Sequence, residues 1–179
     1  MMVSSARARR RHGVMIAFTD VQYAEDHARA ACVLAHDWSD AIAARTVTER
    51  VAPIAPYEPG AFYKRELPCL LRVLEKAGPV QCVVIDGYVW LDAAHTPGLG
   101  AHLYEALGRG VPVVGIAKTA FKGSEMALRL ARPGSDKPLF VTAAGMTAEQ
   151  ALACAQRLRG AHRIPTLLTA VDALARQPQ

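Results

Sequence analysis

Apolar positions in this chain fall into short blocks, and the period inside each block predicts an element. Residues 14–19 are an almost unbroken apolar run that closes on Asp20, the pattern of a short buried strand. Residues 28–36 and 42–53 predict two more strands, joined by the turn-like Asp37-Trp38-Ser39-Asp40. In the second of these, Val47, Glu49 and Val51 alternate with Thr46, Thr48 and Arg50, which is period two. Three strands in succession predict an antiparallel meander. Pro53 and Pro56 end it. The period then turns helical near Glu66, with Leu67, Leu70, Leu71 and Leu74 on one stripe and Pro68 tolerable only in the first turn. Gly78-Pro79 stops that helix.

Residues 82–86 read as a strand covered on both faces, 99–108 as a helix, and 111–117 as a second buried strand followed by Lys118. Residues 121–137 are rich in Gly, Pro and charge and read as loop; 138–142 read as a last strand. Thr147 with Gln150 is a capping-box pair opening a helix whose apolar face is Ala148, Ala151, Leu152, Ala155 and Leu158. Pro165 separates it from a final helix over 167–176. The order β-β-β-α-β-α-β predicts an α/β mixed sheet with helices on both faces.

Composition narrows this picture. The chain has 179 residues, half of them apolar, enough for one domain over 13–179 with a sizeable core. No apolar run approaches the ~20 residues of a membrane span, so a cytoplasmic protein with no membrane partner is expected. The four cysteines are far apart and form no C-x-x-C pair, which predicts reduced core thiols and argues against zinc. The net charge is +5, and the arginines at 7, 9, 10 and 11 carry most of it. Residues 1–12 therefore read as a disordered basic tail, able to touch nucleic acid without sequence preference. A monomer is the default expectation.

The candidate chemistry lies at element ends. Asp20 follows a first strand, Glu66 opens a helix, Asp86 closes a central strand, and Lys118 follows another. Each alone reads equally well as a cap or turn residue. Together they form what phosphodiester hydrolysis needs: carboxylates to hold Mg²⁺ or Mn²⁺, and a cation beside the phosphate. Spacing alone supports metal-dependent phosphoryl chemistry as a hypothesis.

Successive motifs carry a resemblance over roughly residues 14–176. They are Asp20-Val21-Gln22-Tyr23; Pro56-Tyr57-Glu58-Pro59-Gly60 with Arg65-Glu66-Leu67-Pro68; Val84-Ile85-Asp86-Gly87; Gly98-Leu99-Gly100-Ala101-His102; and Val114-Gly115-Ile116-Ala117-Lys118. In this order they resemble the endonuclease V family. The resemblance implies a ribonuclease H-like fold. It also implies metal-dependent hydrolysis at the second phosphodiester 3′ to deoxyinosine or inosine in DNA or RNA, leaving a 3′-hydroxyl and a 5′-phosphate, in nucleic-acid repair. It implies that Asp20 and Asp86 bind Mg²⁺, that Glu66 is the catalytic glutamate and a further ligand, and that Lys118 faces the phosphate. Pro56, Tyr57, Glu58 and Pro59 match a wedge entering the base stack, and Gly60 and Gly87 match backbone positions close to the extruded base.

The likeness has gaps. Where the family has an active-site histidine, counting from either side falls on Asp92 or Ala93, and His95 fits neither frame. Asp92 thus becomes a candidate additional metal ligand. The Gly-His-Arg segment of the family corresponds to Ala143-Ala144-Gly145, and a basic pair after the second motif is missing. These gaps keep a second reading open, a binder of deaminated nucleic acid that cuts weakly or not at all; a third, a nuclease for RNA or for branched or mismatched DNA, differs only in substrate.

Overall fold

The computed structural model describes residues 14–178; the basic tail over 1–12 lies outside the described residues. Seven strands form one mixed sheet in the order β3-β2-β1-β4-β5-β7-β6. They are β1 Met15–Tyr23, β2 Ala28–Ala35, β3 Arg45–Val51, β4 Val80–Ile85, β5 Val113–Ala117, β6 Leu128–Arg132 and β7 Ser135–Ala144. The helices are α1 Tyr63–Ala77, α2 Leu99–Ala106, α3 Ala148–Gln156 and α4 Thr166–Arg176. The predicted meander is β1-β2-β3, antiparallel throughout. The central strands β1, β4 and β5 run parallel, as the α1 and α2 crossovers require.

Strand alternation divides the apolar residues between two cores. Ile16, Phe18, Cys82, Val84, Val114 and Ile116 face α3 and α4. Ala17, Val83, Ile85 and Val113 face α1 and α2. Helices on both faces are therefore present, as the pattern predicts. The capping box at the start of α3 is also formed, with Thr147 accepting from the Gln150 amide and Gln150 reaching back to Thr147.

Several boundaries differ from the sequence reading. β1 runs to Tyr23, so Asp20 lies inside a strand opposite Ala31 rather than at its end. The third strand is the shorter Arg45–Val51. α1 starts at Tyr63, placing Glu66 within the first turn. The expected loop over 121–137 holds a short 3-10 turn (Ser124–Met126), β6 and the start of β7. There Pro133-Gly134 turns a hairpin, and its Gly134 has φ 70°.

Candidate active site

Strand register builds the site. Phe18 of β1 pairs with Val84 of β4. Continuing two residues along each strand brings Asp20 and Asp86 level, on the face shared by Phe18 and Val84. Lys118 stands two residues beyond Ile116 on that same face. Its Nζ donates to Asp86 Oδ2 at 2.6 Å. From α4, Asp172 completes the ring: Asp20, Asp86, Lys118 and Asp172 line one cavity over an apolar floor that includes Ile116 and Leu168. The cavity leaves about 10 Å³ for the centre of a water-sized sphere, room for one water or one ion. At its edge the Thr19 hydroxyl donates to the Val84 carbonyl at 3.0 Å, tying β1 to β4.

Gly115 helps shape this end of the sheet. A Cβ there would collide with the Gly87 carbonyl and press on the Thr142 hydroxyl at 2.9 Å. The chain leaving Asp86 can therefore fold back across β5, where the Val89 amide donates to that hydroxyl at 2.8 Å.

Glu66 approaches from the opposite face, on α1. It is buried, and its pKa is pushed up to about 8, first by burial and then by the charges of Asp20 and Asp86. Asp20 is raised to about 6, mainly by burial, with Asp86 and Asp172 adding repulsion. The buried Tyr23 hydroxyl lies toward Glu66 without forming a hydrogen bond of good geometry. Above the Tyr23 ring stands the Arg65 guanidinium, 4.2 Å from its centroid.

These shifts bear on a metal. Asp86 is paired with Lys118 and Asp172 with Arg176, but among the described residues Asp20 and Glu66 have no ion-pair partner. A buried and a half-buried carboxylate without a counter-charge are costly, and all the donors are oxygens, the chemistry that suits a hard divalent cation. Among the described residues no three metal-ligating groups already stand close enough together to enclose one. The donor set fits the ion; its convergence is not preformed.

The remaining candidates fall in two places. Pro56, Tyr57, Glu58, Pro59 and Gly60 form an exposed loop ahead of α1, with Tyr57 65% exposed. Lys64 Nζ donates to Glu58 at 2.9 and 3.0 Å and ties the loop to the helix. Gly60 and Gly87 have φ 76° and 144°, and both would point a Cβ into open space. Asp92 does not join the cavity. Its carboxylate accepts from the Ala94 and Thr96 amides, each at 3.0 Å, and from the Thr96 hydroxyl at 2.7 Å, so it is spent on its own turn. His102 stacks on Tyr63 with ring centroids 3.6 Å apart, and burial lowers its pKa.

Asp172 escaped the sequence reading. Its signal was an acid four residues after Leu168 on the stripe that also carries Val171 and Ala175, where an apolar side chain is expected.

The comparisons with known proteins agree on one family. A family model described as Endonuclease V matches residues 2–160. An endonuclease V of Streptomyces coelicolor is 31% identical, over 88% of this chain and 76% of its own length. One from Xanthomonas oryzae pv. oryzae is 34% identical over 69% of this chain, which spans about half (49%) of that relative. Among solved structures, endonuclease V of Streptomyces avermitilis superposes with TM-score 0.71 at 25% identity, covering 90% of this chain and 79% of the other. The Ciona intestinalis endonuclease V, in complex with a 24mer DNA containing an inosine followed by a ribo-adenosine, gives TM-score 0.76 at 20% identity, covering 91% and 84%, and shows the shared fold.

Proposed function

This chain belongs to the endonuclease V family, and on that premise we propose that it is a metal-dependent endonuclease acting on deaminated nucleic acid. The bond cut is a phosphodiester 3′ to deoxyinosine or inosine, in DNA or RNA, with 3′-hydroxyl and 5′-phosphate products. The observation that carries this reading is the cavity where Asp20, Asp86 and Lys118 meet, with Glu66 buried within electrostatic range of both aspartates.

Asp20, Asp86 and Glu66 would hold Mg²⁺ or Mn²⁺. Such an ion supplies Lewis-acid stabilisation of phosphoryl charge and a water acidic enough to attack. The chain's own groups do the rest. Lys118 places a positive charge beside the phosphate, and Asp86 fixes where that ammonium points. Glu66 keeps water-excluding apolar neighbours around it on α1. Tyr57, held between two prolines, loses little entropy when its ring inserts among bases. Extruding a deaminated base costs less than extruding a well-paired one, which gives selectivity without a large pocket.

The test uses end-labelled DNA and RNA oligonucleotides, each with one inosine, in Mg²⁺, Mn²⁺ or EDTA, with Asp86→Ala as control. Cutting at a single linkage that needs metal and is lost in the control is expected. Retention of uncut strands under every condition, equal in wild type and Asp86→Ala, would establish the binder instead.

A further inference from the structure

Beyond Asp20 on β1 and Asp172 on α4, the acid-lined cavity gives way to a second one. This neighbour encloses about 300 Å³ and is lined by Gln22, His27, Arg29 and Arg176. Gln22 is two residues outward from Asp20 on the same strand face; Arg176 is one turn outward from Asp172. Asp172 joins the two cavities, because Arg176 Nε donates to both of its oxygens at 3.0 Å.

The charges in the second cavity are unequal. His27 is engaged by Asp26 at 2.6 Å, and Asp26 also accepts from Arg50 at 3.3 Å. Arg176 is engaged by Asp172. Arg29 is different: among the described residues it forms no ion pair, and its Nε is closed off from water with no acceptor. It stands opposite Gln22 on one side and Arg50 on the other. A guanidinium in that position is expensive unless an acceptor arrives. Its planar fork suits two oxygens of a tetrahedral anion.

We propose that this cavity is a phosphate subsite. It binds the phosphodiester adjacent to the one cut, in the same strand, with Arg29 as the principal donor and Gln22 and Arg176 beside it. The inference rests on the proposed nuclease function. Two residues of strand advance about 6.7 Å, and one helical turn about 5.4 Å. That places the second cavity one step along an extended strand from the first. The acidic cavity needs a cation before it can take a phosphate; the basic one can take a phosphate directly. An anchor of this kind sets the register of the strand without reading any base.

The experiment maps single linkages. The full chain is titrated against inosine-containing single-stranded oligonucleotides that each carry one neutral methylphosphonate, with Ca²⁺ in place of Mg²⁺ so that binding is read without cutting. Wild type should lose about tenfold in affinity at the scissile linkage and at one linkage beside it. Arg29→Met, checked to melt no lower than wild type, should lose the neighbouring penalty and flatten the slope of log K against log salt by about 0.7. Arg29→Lys should keep most of both. Sensitivity confined to the scissile linkage in wild type overturns the subsite without any variant, as does an Arg29→Met map identical to wild type. If wild type still cuts inosine strands in Mg²⁺, the nuclease reading survives that loss; if wild type neither binds nor cuts them, both fall together.

Discussion

At the scale of single residues, Glu66 is the most consequential group because it is ionisable, buried and unpaired. In the metal-free protein its pKa rises from 4.5 to about 8. The folded state therefore holds a proton that the unfolded chain has released, and stability falls as pH rises from about 4.5 through about 8. Glu66→Gln removes that dependence. In EDTA at pH 8 the variant should melt higher than wild type by several degrees, with the gap closing by pH 4.5. A thermal melt series in EDTA checks this, and a variant that melts lower at pH 8 contradicts it. The same variant should be nearly inactive in Mg²⁺. Site legibility divided along similar lines. Asp86 and Lys118 could be singled out because each directly follows the apolar run of a strand, and Asp20 because such a run precedes it, although β1 continues past it to Tyr23. Asp172 is half-buried beside a helical stripe, where one acid among leucines looks like a surface position. Asp92 misled because spacing gives no view of its hydrogen bonds: Thr96 consumes that carboxylate.

At the scale of elements, arginines hold the segment between α3 and α4 in place. Arg132 on β6 donates to the carbonyls of Leu158 and Gly160 at 2.8 and 3.2 Å. Arg163 donates to the carbonyls of Pro138 and Lys118 and so bears on the backbone at the edge of the acid-lined cavity. Arg157 bridges to Asp37 in the β2–β3 turn, at 2.6 and 2.7 Å. Asp37 is held down at about 2 by the Ser39 hydroxyl and amide and then by Arg157. Its contribution is thus fully present above its unfolded value of 3.8 and is lost as pH falls through about 2. Asp37→Asn should lower the melting temperature at pH 6, and the difference should vanish near pH 2; a difference unchanged over that range would count against the linkage. At the start of α3, Thr147→Ala should cost about 1 kcal/mol in urea unfolding. Elements built on a clean period were legible: the meander, the crossover strands and all four helices. The hairpin β6-β7 was hidden because β6 is only five residues long and its inward face, Leu128, Leu130 and Arg132, ends in a buried arginine. Such short edge strands carry the composition of a loop.

At the scale of the whole molecule, the parallel centre of the sheet brings Asp20, Asp86 and Lys118 to one cavity, a helix on one face adds Asp172 to it, and a helix on the other holds Glu66 within electrostatic range of both sheet aspartates. The fold concentrates negative charge that it does not neutralise, so part of its stability should depend on an added cation. An ion that binds only the folded state stabilises it by about 2.7 kcal/mol at a hundred times its dissociation constant. For a chain of this size that corresponds to a rise of roughly 5–10 °C in melting temperature. Mg²⁺ and Mn²⁺ should each produce such a rise over EDTA, and Ca²⁺ a rise of its own, while Na⁺ at matched ionic strength should not. The pH-dependent loss of stability assigned to Glu66 should shrink as metal is added, since the ion takes over from the proton as the neutralising charge. A double variant, Asp20→Asn with Asp86→Asn, should melt at the same temperature with and without divalent metal. Equal melting of wild type in Mg²⁺ and EDTA, at concentrations that support cutting, would show that the carboxylates are neutralised in another way and that the metal arrives only with the nucleic acid.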